Sequence, residues 1–245
     1  MEYLELKQPK FIVVESDPVR KGLPGKLAPA PLSKSELENQ KIIHPGMKDT
    51  DILNAFRDLR TSIMPKLHSF NSVLMVCAAR KGGGASFNAL NLAVSCTFDQ
   101  HRHALLVDCN FDRPSLAERL HVAAETGLYD YLTGGVDEIR EVIYPTGIPR
   151  LSLVPTGNVS SREHLEFFTG ERMRSFLQDI KNRYDDRIII LDSPPVLDSA
   201  DAKILGEVTE YVLMVLPYKT VSSGKVDKML KAVVRDKIVG FVINN

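Results

Sequence analysis

Residues 73–93 read VLMVCAARKGGGASFNALNLA, and the fold is decided there. A β-branched, apolar run gives way to Ala79-Arg80-Lys81-Gly82-Gly83-Gly84-Ala85-Ser86, and then to a segment whose Phe87, Leu90 and Val94 share one helical face. Strand, glycine loop and helix in this order are the setting of a phosphate-binding P-loop. Successive glycines let backbone N–H groups turn inward, and the following helix N-terminus adds partial positive charge, so the loop makes a concave anion site without side chains. A working nucleotide triphosphatase adds a lysine after the last glycine and a Ser or Thr that ligates Mg²⁺. Here the lysine position is Ala85, while Ser86 keeps the hydroxyl. A glycine-rich turn with no ligand is the bland alternative.

Outward from the loop, short β-branched runs alternate with amphipathic helical segments. Strands are expected over 72–78, 104–108, 151–155, 188–192, 211–216 and 238–243. Helical stripes appear at Met173, Phe176, Leu177 and Ile180 and at Val226, Met229, Leu230 and Val233. The alternation predicts an α/β fold, a mainly parallel sheet flanked by helices. Two strands end in aspartate, Asp108 and Asp192, at the sheet edge where open α/β proteins bind ligands. Asp192, followed by Ser193-Pro194-Pro195, is placed to hold a Mg²⁺ shell with Ser86, and Asp108 to orient water or polarise an attacking group. Helix capping is the structural alternative for either acid.

Before the loop, residues 50–63 form a helix with Ile52, Phe56, Leu59 and Ile63 on its apolar face, Asp49 or Asp51 as cap and Pro65 as its end. Residues 1–45, rich in Pro and Lys, are expected to be a mobile arm, and 46–245 the folded domain. The 245 residues carry 31 basic and 31 acidic side chains, which argues against a nucleic-acid binder or a charge-driven membrane coat. Val73–Ala79, the longest apolar stretch, falls short of the ~20 residues a spanning helix needs, and MEYLELK does not read as a signal peptide, so the cytoplasm is the expected compartment. Cys77, Cys96 and Cys109 have neither disulfide nor zinc spacing, and His101 and His103 read as a solvated turn. Tyr129, Tyr131 and Tyr211 sit in apolar contexts that indicate packing.

Taken in order, VLMVCAARKGGGASFNALNLA, LLVDCNFDRPSL (105–116), GLYDYLTG (127–134), IIILDSPPVLDSADAKIL (188–205) and GFVIN (240–244) resemble the bacterial tyrosine kinases of capsule and exopolysaccharide systems, MinD/ParA-like P-loop ATPases with a deviant Walker motif. The resemblance covers roughly residues 50–245 and implies ATP or ADP with Mg²⁺ as ligands. It also implies a membrane polysaccharide co-polymerase as partner, a peripheral position at the inner membrane through that partner, and homo-oligomerisation. AFRDLRTSI (55–63) resembles the family's interface helix, with Arg57 and Arg60 in its arginine positions and Asn54 where glutamate is usual. By the same resemblance Asn244 lies near the adenine, and Arg80 stands where MinD/ParA relatives carry a second lysine that acts across a dimer.

The departures fall on the chemistry. Ala85 replaces the lysine, Asn110 the second aspartate of the Asp-x-Asp motif and Asp112 a basic residue, and no tyrosine cluster follows the final strand. Losing a cation on the β/γ-phosphates costs on the order of 10²–10⁴ in phosphoryl-transfer rate. The leading expectation is a catalytically impaired regulator of polysaccharide assembly. An active kinase using Arg80 or Lys81, and a MinD/ParA-type positioning ATPase, are the alternatives.

Overall fold

A computed structural model describes residues 26, 29–159, 168, 171–218 and 223–244. Helices α1 (Lys34–Asn39) and α2 (Thr50–Ile63) precede strand β1 (Val73–Ala78), α3 (Ala85–Cys96) and β2 (His103–Asp108). Short α4 (Leu116–Arg119) and α5 (Leu128–Thr133) lead to β3 (Tyr144–Pro145) and β4 (Leu151–Val154). Then come α6 (Glu171–Arg183), β5 (Arg187–Asp192), α7 (Ala200–Val208), β6 (Tyr211–Pro217), α8 (Ser223–Ala232) and β7 (Ile238–Asn244). The strands form one sheet in the order β3-β4-β2-β5-β1-β6-β7, parallel at every junction except β3/β4. Each expected strand is present within a residue or so at either end. The two-residue β3 escaped the sequence because it is too short for a period and contains a proline.

Strands β1, β2 and β5 carry continuous apolar runs, Val73–Ala78, 104–107 and 188–191, because helices cover both sheet faces, as parallel strands require. Odd-numbered β1 residues Val73, Met75 and Cys77 pack with the α6 stripe Met173, Phe176, Leu177 and Ile180. Even-numbered Leu74, Val76 and Ala78 pack with α2 and α3, which places the glycine loop and its helix on that second face. All three cysteines are buried, and Tyr129, Tyr131 and Tyr211 are packed as expected.

Three expectations are corrected. In α2 Phe56 and Ile63 are in the core and Leu59 packs against it as expected, but in the first turn Leu53 takes the inward place and Ile52 is 41% exposed, since 53, 56, 59 and 63 lie on one face of the helix. His103 is no solvated turn: it opens β2, is buried, and its Nδ1 lies 2.8 Å from Asp186. The third concerns the arm. Residues 1–25 and 27–28 lie outside the described residues, but 29–44 form a packed strap on the α3 face. Ser33 caps α1 in a reciprocal capping box with Glu36, and Ile42 and Ile43 are wholly in the core. The sequence pointed the other way because only two consecutive apolar residues carry the attachment.

Asn91, buried on α3, fastens the strap from both sides: its Oδ1 accepts from Ile43 N at 2.8 Å and its Nδ2 donates to Lys41 O at 3.0 Å. Asn91→Ala leaves both backbone groups buried without that partner and is expected to cost about 1–3 kcal/mol, read as a lower denaturation midpoint at unchanged slope.

Candidate functional site

The last three positions of the loop between β1 and α3 call for glycine. Gly82 (φ 77°) and Gly84 (φ 91°) lie in the left-handed region, and a Cβ on Gly83 would come 2.6 Å from Ala78 Cβ and 2.9 Å from Arg80 O. Gly84 is the N-cap of α3, so the free N–H groups of its first turn open toward the loop. Ala85 is the first helical residue, half-buried, and presents a methyl group where a lysine would reach forward. Ser86 follows on the same turn.

A cleft of ≈ 740 Å³ lies over the loop. Residues 80–87 line one side, including Arg80, Lys81, Ser86 and Phe87; Asn110, Asp112 and Arg113 after β2, and Ser193, Pro195 and Asp198 after β5, line the others. Arg80 and Lys81 are exposed, and neither has an ion-pair partner among the described residues. Asn244, at the end of β7, rests on Gly84 and accepts from Asn88 Nδ2 at 3.3 Å, and Asn88 also donates to Gly84 O at 2.9 Å. The final strand therefore braces the loop.

The two aspartates are paired in register on β2 and β5, so their side chains leave the sheet on the same face, that of α3. Both are buried, yet they differ. Asp108 accepts from Asn110 N at 3.1 Å with Oδ1, and from Ser115 N at 3.2 Å and Leu116 N at 3.3 Å with Oδ2. It is thus committed to capping α4 and shaping the loop before it. Burial pushes its carboxyl up to about 6 against the pull of those three N–H groups. Asp192 is wholly buried, and among the described residues neither oxygen meets strict hydrogen-bond geometry, the Ser86 hydroxyl being the polar group that acts on it. Its carboxyl is held well above the usual range by burial and by the neighbouring Asp108 charge, with Ser86 and Arg119 pulling it back only in part.

An ionised carboxylate buried without a partner costs several kcal/mol unless a cation meets it. That vacancy of partners beside Ser86 fits a hard divalent cation, which prefers carboxylate and hydroxyl oxygens. Asp192 and Ser86 are the residues that would hold it.

The sequence-derived interface arginines are elsewhere. Arg60 Nη1 donates to Ser95 O at 2.6 Å, and Arg57 lies over the Phe98 ring at 5.8 Å. Both contacts are at the C-terminal end of α3, where cations favour the exposed carbonyls, about 18 Å of helix away from the glycine loop. Within one chain they do not reach the cleft. Reading from sequence missed Asp198, which was legible as a residue just beyond a strand's C-terminal end, and Arg119, which was not: its relevance depends on how α4 lies behind the acids.

The AAA domain family matches residues 72–238. Tyrosine-protein kinase wzc of Salmonella typhi is 30% identical over 200 residues, covering 80% of this chain and 27% of that protein. The putative tyrosine-protein kinase in the cps region of Klebsiella pneumoniae is 26% identical over 231 residues, covering 93% and 31%. The chain thus spans about a quarter to a third of the length of these curated relatives. Among solved structures, the kinase domain of the Escherichia coli tyrosine kinase ETK superposes with a TM-score of 0.71 at 24% identity, covering 93% of this chain and 91% of that one. The cell division ATPase MinD of Pyrococcus furiosus superposes with a TM-score of 0.59 at 24% identity, covering 71% and 72%. These superpositions speak to the fold.

Proposed function

Because the chain belongs to the family of bacterial tyrosine kinases and MinD/ParA-like P-loop ATPases, we propose that it binds ADP or ATP with Mg²⁺ but transfers phosphate poorly, and acts as a nucleotide-responsive regulator of a membrane polysaccharide co-polymerase. One observation carries this reading: the phosphate-shaped glycine loop and the unpartnered Asp192 are retained while Ala85 puts a methyl group in the place of the catalytic cation. Loop N–H groups at 82 and 84–86 bind and orient the phosphates, while that of Gly83 is spent on Arg80 O at 3.0 Å; Asp192 and Ser86 would hold the cation, which neutralises phosphate charge when bound. Without the lysine, no side chain fixed on the loop meets the charge that develops on the transferring group. Relatives named for capsule and tyrosine-kinase functions support the polysaccharide setting. The protein then works on the cytoplasmic side of the inner membrane, held there by its partner.

A second reading rests on Arg80 and Lys81, exposed on the rim of the cleft without an ion-pair partner among the described residues. Either side chain folded over the loop replaces the missing cation and makes the protein an active kinase. Titration with a fluorescent ADP, with and without Mg²⁺, and assays for ATP hydrolysis and phosphotyrosine decide between them. Mg²⁺-dependent binding without turnover is expected. Turnover that disappears when Arg80→Ala and Lys81→Ala are combined would establish the second reading, and no binding at all would remove both.

A further inference from the structure

A second cleft, of ≈ 490 Å³, opens at the other end of the molecule, between the C-terminal ends of α2 and α3 and the turn that leads into β1. It lies at the N-terminal edge of the sheet, the length of α3 away from the glycine loop, and shares no lining residue with the cleft there. Its basic side chains are Arg60, Arg102 and His68, and Asp99 is the one acid among the described residues that line it. A chain with 31 basic and 31 acidic residues thus gathers a local cationic excess around a concavity.

Both guanidinium groups are positioned by what they touch. Arg60 Nη1 donates to Ser95 O at 2.6 Å in the last turn of α3, and its other N–H groups have no partner among the described residues. Arg102 Cζ lies 3.7 Å from the centre of the Phe70 ring, and its Nε is 3.5 Å from the Asp99 carboxylate. Stacking on an aromatic face fixes a guanidinium without spending its donors, so the terminal nitrogens of Arg102 stay available. His68 is steadied by Tyr211, whose Oη accepts from His68 N at 2.9 Å and also bonds the ring Nδ1. Asp99 and the carbonyl end of α3 oppose an anion, and each is already met by one of the two arginines. Met64, Leu67 and Phe70, all half-buried, supply an apolar wall beside these donors.

We propose that this cleft binds an aryl phosphate, the phosphotyrosine side chain of a partner chain, between Arg60 and Arg102. Two preplaced guanidinium groups suit the several oxygens of a phosphate, which take paired N–H donors. The apolar wall with the Phe70 ring suits the aromatic stem that carries it. A carboxylate side chain would use the donors and leave the wall wet, and an apolar side chain would cover the donors without satisfying them. A phosphoserine has too short a stem to use the wall. The volume falls within the range of about 300–1,000 Å³ common to sites that enclose a small ligand. The site is independent of the nucleotide reading and stands or falls without it.

Fluorescence anisotropy of the full chain with a labelled pentapeptide whose only charge is a central phosphotyrosine tests this, against the same peptide carrying tyrosine or phosphoserine. The phosphotyrosine form is expected to bind about tenfold or more tighter than either. Arg102→Gln is expected to weaken it by about tenfold, and Phe70→Leu, which keeps an apolar wall without the ring, to cut its preference over phosphoserine to about threefold or less. Thermal melts check that each variant is folded. Arg102→Lys keeps the charge, loses the stacked fork and is expected to cost about fivefold, which keeps the test open if Arg102→Gln is unstable. No binding, equal binding of the phosphotyrosine and phosphoserine peptides, or full affinity in folded Arg102→Gln overturns the proposal. Binding that ADP displaces and Arg102→Gln leaves alone assigns the peptide to the glycine loop and overturns it too. So does a dimer in sedimentation that dissociates in Arg60→Gln while neither protein takes up peptide, because a second copy is then the occupant.

Discussion

Replacing Ala85 with lysine is expected to tighten MgATP binding by about 10- to 100-fold and to raise hydrolysis by on the order of 10²–10⁴. Ala85 is the first residue of α3, half-buried on the wall of the cleft, with no side chain of its own to displace. A lysine there reaches the phosphates from the position a P-loop cation occupies, and a charge-assisted hydrogen bond contributes about 1.5–3 kcal/mol. In the ligand-free protein the same substitution is unfavourable, because a cation at a helix N-terminus opposes the dipole by roughly 0.3–1 kcal/mol. A distinctive pair of results follows: Ala85→Lys melts slightly earlier than the natural chain alone and distinctly later in MgATP. Thermal melts with and without nucleotide, and a phosphate-release assay, measure both. Equal nucleotide affinity in the two proteins would mean that the loop does not cradle β- and γ-phosphates, and the proposed function would fall with it.

Asp192→Asn has the second-largest expected effect, and its sign differs between stability and binding. The amide keeps shape and removes a buried charge that its surroundings compensate only in part, so the ligand-free chain is expected to be as stable as the natural one or more so at pH 7.5. The Mg²⁺-dependent part of nucleotide affinity should fall by about tenfold or more, since an amide oxygen is a weaker ligand than a carboxylate. A pH series sharpens the test. Burial raises Asp108 from 3.8 to about 6, and burial with the neighbouring Asp108 charge raises Asp192 well above the usual range, so between the unfolded and folded values the folded chain holds the extra protons. Acids shifted upward destabilise the fold as pH rises, and that loss is complete only above the folded values. The natural chain should therefore lose stability from about pH 4 upward through 6 and beyond, and Asp192→Asn should flatten the curve. A steep, unchanged dependence in the variant would place the cost elsewhere.

Much of the site was legible because its parts are local. Gly82, Gly83 and Gly84 announce a loop with left-handed turns at its first and last glycine and a close backbone approach at the middle one, and Ala85 announces its lost cation without any coordinates. Asp108 and Asp192 were equally visible as strand ends, but one-dimensional text gave them similar weight. Their separation into a helix cap and an unpartnered acid depends on which backbone N–H groups the turn after β2 delivers, and only packing determines that. Arg57 and Arg60 are a different case: their spacing is plain, and within one chain they sit at the far end of α3.

The sequence by itself determined the α/β architecture, since hydrophobic periods and turn residues act within a few residues of one another and need no knowledge of distant neighbours. It also determined that the glycine loop lacks its lysine. Tertiary structure alone decided that residues 29–44 belong to the folded body, because Ile42 and Ile43 gain their burial from a core cluster made by elements distant in sequence and Asn91 accepts from Ile43 N across 48 positions of chain. It likewise decided that Arg119 donates to Gln40 O across 79 positions of chain, because hydrogen-bond partners are chosen by distance in space, which the order of residues does not encode.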